Sequence, residues 1–230
     1  MSEGSAAAAR RESLVEVYRE ASDCTLCPLA EGRTKVVFGA GDADADLMFV
    51  GEAPGAEEDR QGLPFVGRAG GLLNELLEGI GLSRDRVFVT NTLKCRPPGN
   101  RDPQPVEIET CRPYLLRQVE LIEPKVIATL GNFATKLITA NQTGITRVRG
   151  KPQVHTLGQR TLRVFPILHP AAILRNPGQR PMMEEDFRAL GALLEEPQLE
   201  QGEVTPPELP EPELPSATRR RDDQLDIFTG

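Results

Sequence analysis

The run Asp46-Leu47-Met48-Phe49-Val50-Gly51 is a short apolar segment closed by a glycine, and it predicts a buried β-strand. A helix is predicted over residues 69–80, where leucines recur on one face, and residues 86–90 predict the next strand. The order is therefore strand, helix, strand. Apolar strands that alternate with helices are typical of a parallel sheet with helices on both faces.

The same alternation continues along the chain. We predict further strands over residues 125–130 and 162–168, and helices over residues 105–122, 132–139 and 182–194, with another helix before the first cysteines. The expected fold is α/β: a three-layer α/β/α sandwich with a central, mainly parallel four-stranded sheet. Ligands of such sheets bind beyond the carboxyl ends of the strands, so the residues that follow the strands are candidate site residues.

The composition narrows the class of protein. The 230 residues are 39% hydrophobic and 27% charged, which excludes a membrane protein, a collagen-like fibre and a wholly disordered chain. No apolar run approaches the roughly 18 residues of a spanning helix, and the first residues lack a secretion signal. We therefore expect a protein that is cytoplasmic and has no membrane partner.

The C-terminal region differs from the rest. Residues 1–194 are predicted to form the folded domain and residues 195–230 a disordered tail, because residues 195–215 contain six prolines and seven glutamates. The tail ends in an apolar cluster that resembles the short peptide with which bacterial repair proteins dock on the sliding clamp. The predicted contact residues are Gln224, Leu225, Ile227 and Phe228, and the alternative is a chance apolar end on a solvated tail.

The net charge of −7 is unevenly distributed. Residues 94–194 contain 15 Lys and Arg against 8 Asp and Glu, whereas the segments on either side are acidic. Between Pro124 and Met183 there are nine basic residues and no Asp or Glu. This stretch is either ordinary solvated charge or a face that neutralises phosphates.

The four cysteines form a metal-ligand pattern. Cys24 and Cys27 are separated by two residues, Cys95 follows after 67 more, and Cys111 after another fifteen. Four thiolates suit tetrahedral zinc or a cubane iron-sulfur cluster, and the spacing does not choose between them. A disulfide framework is not expected in the cytosol.

Chemically distinctive residues follow three of the strands. Glu52, Ala53 and Pro54 lie in a Gly-Pro loop after the first strand, where either turn formation or ligand binding explains the glycines. Phe65, in the same region, is placed to stack a base or to join the core. Asn91 offers the hydrogen-bonding complement of a nucleobase edge, or a cap. His169 follows the last strand, as a site residue or a buried structural histidine, and His155 is interpreted as a surface residue.

Together these segments resemble one known family. The resemblance is carried by the cysteine spacing and by Gly51 to Gly55, Gly62 to Gly67, Asn91 with Lys94 to Pro98, and His169 to Ala171 with Leu174 and Arg175. These features look like those of the family 4 uracil-DNA glycosylases, over about residues 20–190. The resemblance implies a [4Fe-4S] cluster on Cys24, Cys27, Cys95 and Cys111, uracil-containing DNA as the partner, and uracil removal that initiates base excision repair. We accordingly expect a nucleoid-associated monomer.

The resemblance also implies roles for the candidate residues. Phe65 would stack the uracil, Asn91 would bind its N3 and O4 edge, the backbone of Glu52 to Pro54 would contact the other side, and His169 would stabilise negative charge on O2. Ala53 stands where another uracil glycosylase family has aspartate, so we predict that Glu58 positions the water, with Glu52 as the alternative. The acid-free stretch becomes a DNA face, and the predicted DNA contacts are Lys94, Arg96 and Arg175.

Three other interpretations remain open at this point. A cross-linking relative traps the abasic sugar on a loop histidine, but residues 96–102 contain no histidine. The others are a non-enzymatic iron-sulfur DNA-binding module and a zinc protein that acts on RNA.

Overall fold

A six-stranded mixed sheet forms the centre of the molecule. The computed structural model describes residues 3–201. Its strands have the order β1-β3-β2-β4-β6-β5 in the sheet, with four central parallel strands and an antiparallel strand at each edge. The bounds are β1 (Ala40–Gly41), β2 (Leu47–Gly51), β3 (Phe88–Asn91), β4 (Val126–Leu130), β5 (Gln153–Leu157) and β6 (Arg160–Ile167).

Helices cover both faces of the sheet. They are α1 (Glu3–Ser22), α2 (Leu29–Gly32), α3 (Ala56–Gln61), α4 (Arg68–Glu78), α5 (Pro105–Ile122), α6 (Asn132–Thr139), α7 (Ile145–Val148), α8 (Pro170–Arg175) and α9 (Arg180–Leu194). Strand β2 shows how its side chains divide between the faces. Met48 and Val50 belong to the core that includes α1 and α5, whereas Leu47 and Phe49 belong to the core that includes α4 and α9. The predicted three-layer sandwich is confirmed.

The sheet is wider than the sequence predicts. The four predicted strands are the central parallel ones, and β1 and β5 add two edges. Strand β1 has two residues, and β5 alternates between partly buried and exposed positions before the buried Leu157, so neither carries the apolar run that marks a buried strand. The strand predicted over residues 86–90 is β3, which begins at Phe88 and includes Asn91. Asn91 therefore ends the strand instead of following it.

Several short helices also lie outside the predicted pattern. α8 begins directly after His169, whose backbone is extended and which precedes a proline at the first helical position. In the described part of the chain, no helix combines the length and the apolar character that crossing a lipid bilayer requires.

The first residues of the predicted tail contact the domain. Arg163 of β6 forms an ion pair with Glu196 at 3.0 Å and donates to the Pro197 carbonyl at 2.9 Å. The side chain of Gln201 bonds to both backbone groups of Thr161. The chain thus reaches residue 201 beside the beginning of β6, at the opposite end of this strand from His169. Residues 202–230, with the predicted peptide at 224–228, lie outside the described residues.

Candidate active site

A cleft of about 1080 Å³ opens at the carboxyl ends of the parallel strands. The turn after β2, the end of β3, the turn after β4 and the start of α8 all contribute to its wall. The predicted residues that line it are Glu52, Ala53, Pro54, Glu58, Phe65, Asn91, His169 and Arg175. The structure therefore brings eight predicted residues, from segments as far apart in sequence as Glu52 and Arg175, to one edge of the sheet.

Asn91 lines this cleft and carries an unpaired polar atom. Its side chain is 2% exposed, and among the described residues its Oδ1 has no hydrogen-bond partner. Glycine at position 51 makes this arrangement possible, because a Cβ there would lie 2.8 Å from Phe65 Cζ and closer still to Asn91 Oδ1. A buried amide oxygen without a partner is costly, so the site is suited to a ligand that donates a hydrogen bond.

The Phe65 ring stacks near the imidazole of His169. The ring centroids are 5.7 Å apart with an interplanar angle of 29°. Phe65 has a positive φ of 52°, which is unusual for a residue with a side chain. Gly70 allows this geometry, because a Cβ at position 70 would overlap the Phe65 carbonyl. Arg84 supports the same loop by donating to the Pro64 carbonyl at 2.6 Å.

Glu58 links helix α3 to the loop that carries Phe65. Its Oε1 accepts hydrogen bonds from the backbone amides of Val66 at 3.0 Å and Gly67 at 3.1 Å. Among the described residues, its Oε2 accepts none, and the side chain lines the cleft. One carboxylate oxygen is thus structural and the other is available to a ligand or water.

Glu52 is a second carboxyl group in the cleft. Burial raises its pKa, and the nearby charge of Asp102 raises the pKa further. Its backbone carbonyl accepts hydrogen bonds from the Thr92 hydroxyl and the Leu93 amide. These bonds fix the turn after β2 against the segment that follows β3.

His169 is held as a neutral imidazole with a defined tautomer. Its Nδ1 accepts a hydrogen bond from the Ala171 amide at 3.1 Å, so the ring proton of the neutral form lies on Nε2. The pKa of His169 is lowered to about 4, mainly by burial and also by the charge of Arg175, against the opposing effect of Glu58. At neutral pH the side chain therefore offers an N–H donor without a positive charge.

The four cysteines converge on one small cavity. They line it together with Arg33, Lys94 and Tyr114, among others, and all four thiols are free. Within residues 3–201, no three Cys, His, Asp or Glu side chains are close enough to form a metal site as they stand. The donor chemistry nevertheless fits a soft-metal centre, because four thiols and a phenol line the cavity and no described carboxylate or imidazole does.

Basic and polar donors surround these thiols. Arg33 Nη1 lies 3.7 Å from the Cys95 Sγ, and the backbone amide of Lys94 donates to the Cys111 Sγ at 3.2 Å. Burial raises the pKa of Cys95 to about 11. A free thiol at this position is therefore protonated, and a bound metal would have to displace the proton.

The position of Lys94 corrects one prediction. Its side chain is 1% exposed, and its Nζ is enclosed by acceptors in the interior, so it cannot reach a DNA phosphate. Burial lowers the pKa of this amine to about 7, and its three acceptors match the three N–H donors of the ammonium form. Arg96, by contrast, is partly exposed and bonds to Asn100, and Arg175 is exposed at the cleft.

Most basic residues of the acid-free stretch are paired with acids of the same chain. Five of its nine basic residues form ion pairs with acids from other parts of the chain: Lys125 with Asp46, Arg149 with Asp186, Arg160 with Glu123, Arg163 with Glu196, and Arg180 with Glu75 and Glu184. Lys136 and Arg175 line the cleft, and within residues 3–201 neither forms an ion pair. His155, as predicted, lies away from the cleft, partly exposed on edge strand β5.

Some residues that shape the site had no sequence signal. Arg84 lies in a short turn and Lys94 in a basic segment, and nothing in their neighbours marks the first as a loop support or the second as an interior residue. The sequence marks Gly51 as part of a glycine-containing loop, whereas its close approach to Asn91 and Phe65 depends on the tertiary fold.

The fold and cleft define an α/β domain with a polar ligand cleft at the strand ends, and a separate small cavity lined by four thiols. Comparison with known proteins agrees: residues 38–191 match the sequence model of the uracil DNA glycosylase superfamily, and the chain belongs to this superfamily. It is 49% identical over 187 residues to a type-4 uracil-DNA glycosylase of Sulfurisphaera tokodaii, which covers 79% of this chain and 85% of the relative.

Two further relatives carry the same name. The protein of Archaeoglobus fulgidus is 48% identical over 187 residues, covering 79% of this chain and 94% of the relative. That of Thermotoga maritima is 48% identical over 168 residues, covering 72% and 86%. The family predicted from the motifs is confirmed.

Proposed function

We propose that this protein removes uracil from DNA by hydrolysing its N-glycosidic bond, the first step of base excision repair. The relatives named type-4 uracil-DNA glycosylases support this activity. The observation that carries it is the buried Asn91 amide, whose Oδ1 has no partner among the described residues and which lines the same cleft as the His169 N–H donor.

The amide of Asn91 suits one edge of uracil. Its Oδ1 accepts from the N3–H group and its Nδ2 donates to O4. Cytosine reverses both groups, because its N3 is an acceptor and its exocyclic amine is a donor. An unpaired amide oxygen facing the cytosine N3 would stay unsatisfied, so the cleft rejects cytosine by the cost of a buried polar group.

The base must leave the duplex to reach this cleft. Flipping the nucleotide costs a few kcal/mol, and less for a mispaired base. Stacking on Phe65, whose loop is supported by Glu58 and Arg84, offsets part of this cost. We assign the contacts on the other side of the base to the turn of Glu52, Ala53 and Pro54.

Bond cleavage leaves negative charge on uracil O2 and positive character on the sugar. We assign to His169 Nε2–H the hydrogen bond to O2 as the charge develops, and its neutral state at pH 7 is set by burial and by Arg175. Loss of one such preorganised donor typically costs about 10²- to 10³-fold in rate. His169 is thus the main electrostatic contributor in this proposal.

We assign the position of the attacking water to Glu58, whose Oε2 is not used by any described group. Glu52 is the alternative, since burial raises the pKa of its carboxyl group and so makes it a better proton acceptor. Glu58→Gln and Glu52→Gln, compared in single turnover, separate the two assignments. The substitution that removes the water-positioning oxygen lowers the rate more while the variant still binds uracil-containing DNA.

We infer that Cys24, Cys27, Cys95 and Cys111 hold a [4Fe-4S] cluster, consistent with the type-4 name of the relatives and with the four-thiol cavity. Such a cluster would supply four metal–thiolate bonds that cross-link the turn before α2, the segment after β3 and helix α5. Iron and sulfide content of the purified protein tests the assignment, and stoichiometric zinc without iron contradicts it.

We place the phosphate contacts on Arg96 and Arg175, with Lys136 as a further residue at the cleft. The chain acts as a monomer in this proposal and is cytoplasmic and nucleoid-associated, where its substrate is. The peptide Gln224, Leu225, Ile227 and Phe228 is proposed to bind a sliding clamp. Binding of a peptide of residues 216–230 to a bacterial clamp, lost on Leu225→Ala plus Phe228→Ala, tests that contact.

Incubation of the protein with a uracil-containing duplex separates this function from the alternatives. We expect free uracil and an abasic strand, and no release from the matched cytosine duplex. DNA binding without base release would indicate a non-enzymatic module. A denaturation-resistant protein–DNA adduct would indicate cross-linking.

A further inference from the structure

Lys94 is a buried lysine whose amine connects the base-binding cleft to helix α5. All three hydrogen-bond donors of its ammonium group are used: Nζ donates to the Thr90 hydroxyl at 2.7 Å, to the Asn91 carbonyl at 2.8 Å and to Gln118 Oε1 at 2.6 Å. The Nζ also lies 5.8 Å from the centre of the Phe38 ring.

The acceptors around Lys94 are themselves fixed. The Thr90 hydroxyl donates to the Phe38 carbonyl at 2.7 Å, and Gln118 Nε2 donates to the same carbonyl at 2.8 Å. Thr90 and Gln118 are fully buried. A satisfied network of this kind is rigid, because each group that moved would leave a buried polar partner unpaired.

Lys94 is attached to α5 at two places. Its ammonium group bonds to Gln118, and its backbone amide donates to the Cys111 thiol at 3.2 Å. Residues 111 and 118 are seven positions apart, about two turns of an α-helix, and therefore lie on the same helix face. One residue thus joins the end of β3 to the helix that carries a cysteine of the four-thiol centre.

The contact with Asn91 matters because, among the described residues, no group donates a hydrogen bond to the side-chain oxygen of Asn91. Its Oδ1 is unpartnered, so its direction is set by the backbone of residue 91 and by packing around Gly51. The carbonyl that Lys94 holds belongs to this same residue. A shift of this peptide moves the amide that faces the base.

We propose that Lys94 is a positioning residue for base recognition: it fixes the backbone of Asn91 against α5, so that the Asn91 amide meets the uracil edge in one orientation. This inference rests on the proposed function, because it assumes that Asn91 binds uracil. It replaces the DNA contact first predicted for Lys94.

Inhibition by free uracil measures this role directly. The probe is uracil added to the excision reaction, and its inhibition constant does not depend on the fraction of protein that is folded. We expect Lys94→Met to raise this constant about 3- to 10-fold, the range set by one misaligned hydrogen bond. The matched control is Lys125→Met, since Lys125 is a partly exposed lysine paired with Asp46 at the opposite end of the sheet. It leaves the constant unchanged.

A double-mutant cycle shows whether Lys94 acts through Asn91. In an Asn91→Ala background there is no amide to position, so Lys94→Met should change the uracil inhibition constant by less than twofold. If Lys94→Met does not accumulate as folded protein, Thr90→Val takes its place, because it removes one acceptor of the ammonium group with little change in shape. The same increase and the same loss of effect in Asn91→Ala are expected.

The outcomes separate the two claims. If the wild-type protein releases no uracil and is not inhibited by it, the proposed function fails. If the wild type behaves as expected but Lys94→Met or Thr90→Val leaves the uracil inhibition constant unchanged, the positioning role is overturned. An undiminished effect in the Asn91→Ala background overturns it as well.

Discussion

A methyl group at position 51 should disable base recognition while leaving the rest of the fold in place. Gly51 ends β2, and a Cβ there would lie 2.8 Å from Phe65 Cζ, and closer to Asn91 Oδ1. Contacts below about 3 Å are not tolerated, so the Asn91 amide, the Phe65 ring or both must move. Both groups contact the flipped base in the proposed site, so a shift of either one disturbs base binding.

The expected loss of excision rate in Gly51→Ala follows from this overlap. Relief of the clash displaces the amide or the ring by about 1 Å, and a misplacement of this size costs about 10²-fold in rate. Overpacking of the surrounding core should cost about 1 to 3 kcal/mol of unfolding free energy. We therefore expect Gly51→Ala to fold, and to excise uracil about 100-fold more slowly than wild type in single turnover.

Gly71→Ala is the matched control. Gly71 lies in α4, and a Cβ there meets no heavy atom within 4 Å. The change should leave the rate intact and stabilise the helix by up to about 1 kcal/mol. Near wild-type excision by Gly51→Ala, with the control also active, would refute the claim that Asn91 and Phe65 form the base site.

Three further predictions concern the donor and the thiols. His169→Ala should lower the single-turnover rate about 10²- to 10³-fold with unchanged circular dichroism, and a near wild-type rate would contradict its role. The pKa of His169 falls from 6.5 to about 4 on folding. Between these two pKa values, the unfolded chain binds a proton at His169 that the folded chain does not bind, so lowering the pH destabilises the folded state. Wild type should therefore lose about 2 kcal/mol more stability than His169→Ala between pH 7 and pH 5 in denaturant titrations, and equal losses would contradict the depressed pKa. Cys111→Ala should lose bound iron and unfold more readily, and full iron content in this variant would contradict the four-thiol assignment.

The central architecture could be predicted because it follows from local pattern. Strands such as β2 and β4 are buried on both faces, so their sequences are continuous apolar runs between helices. Ligands of such sheets bind beyond the strand ends, and this rule predicts that Asn91 and His169 share one site without any knowledge of the loops. Edge strand β5 escapes this reasoning, because its exposed side chains have no need to be apolar.

The role of the basic residues could not be predicted from the sequence alone. The basic stretch between residues 124 and 183 suggested a DNA face, yet Arg149 is paired with Asp186 and Arg163 with Glu196, both from beyond the stretch. Lys94 is a second example, inside the domain. A lysine amine is expected at the surface, but Thr90 and Gln118 accept its hydrogen bonds in the interior. Which acid or acceptor meets a basic residue depends on the tertiary fold.

Comparison of wild type with Asn91→Ala on a uracil-containing duplex tests the account most directly. With enzyme in excess, the measured quantity is the rate of uracil release in a single turnover. The account predicts efficient release by the wild type and a loss of about 10²-fold or more in the variant, with the fold unchanged. Release at similar rates by both proteins would contradict recognition of the base by the Asn91 amide.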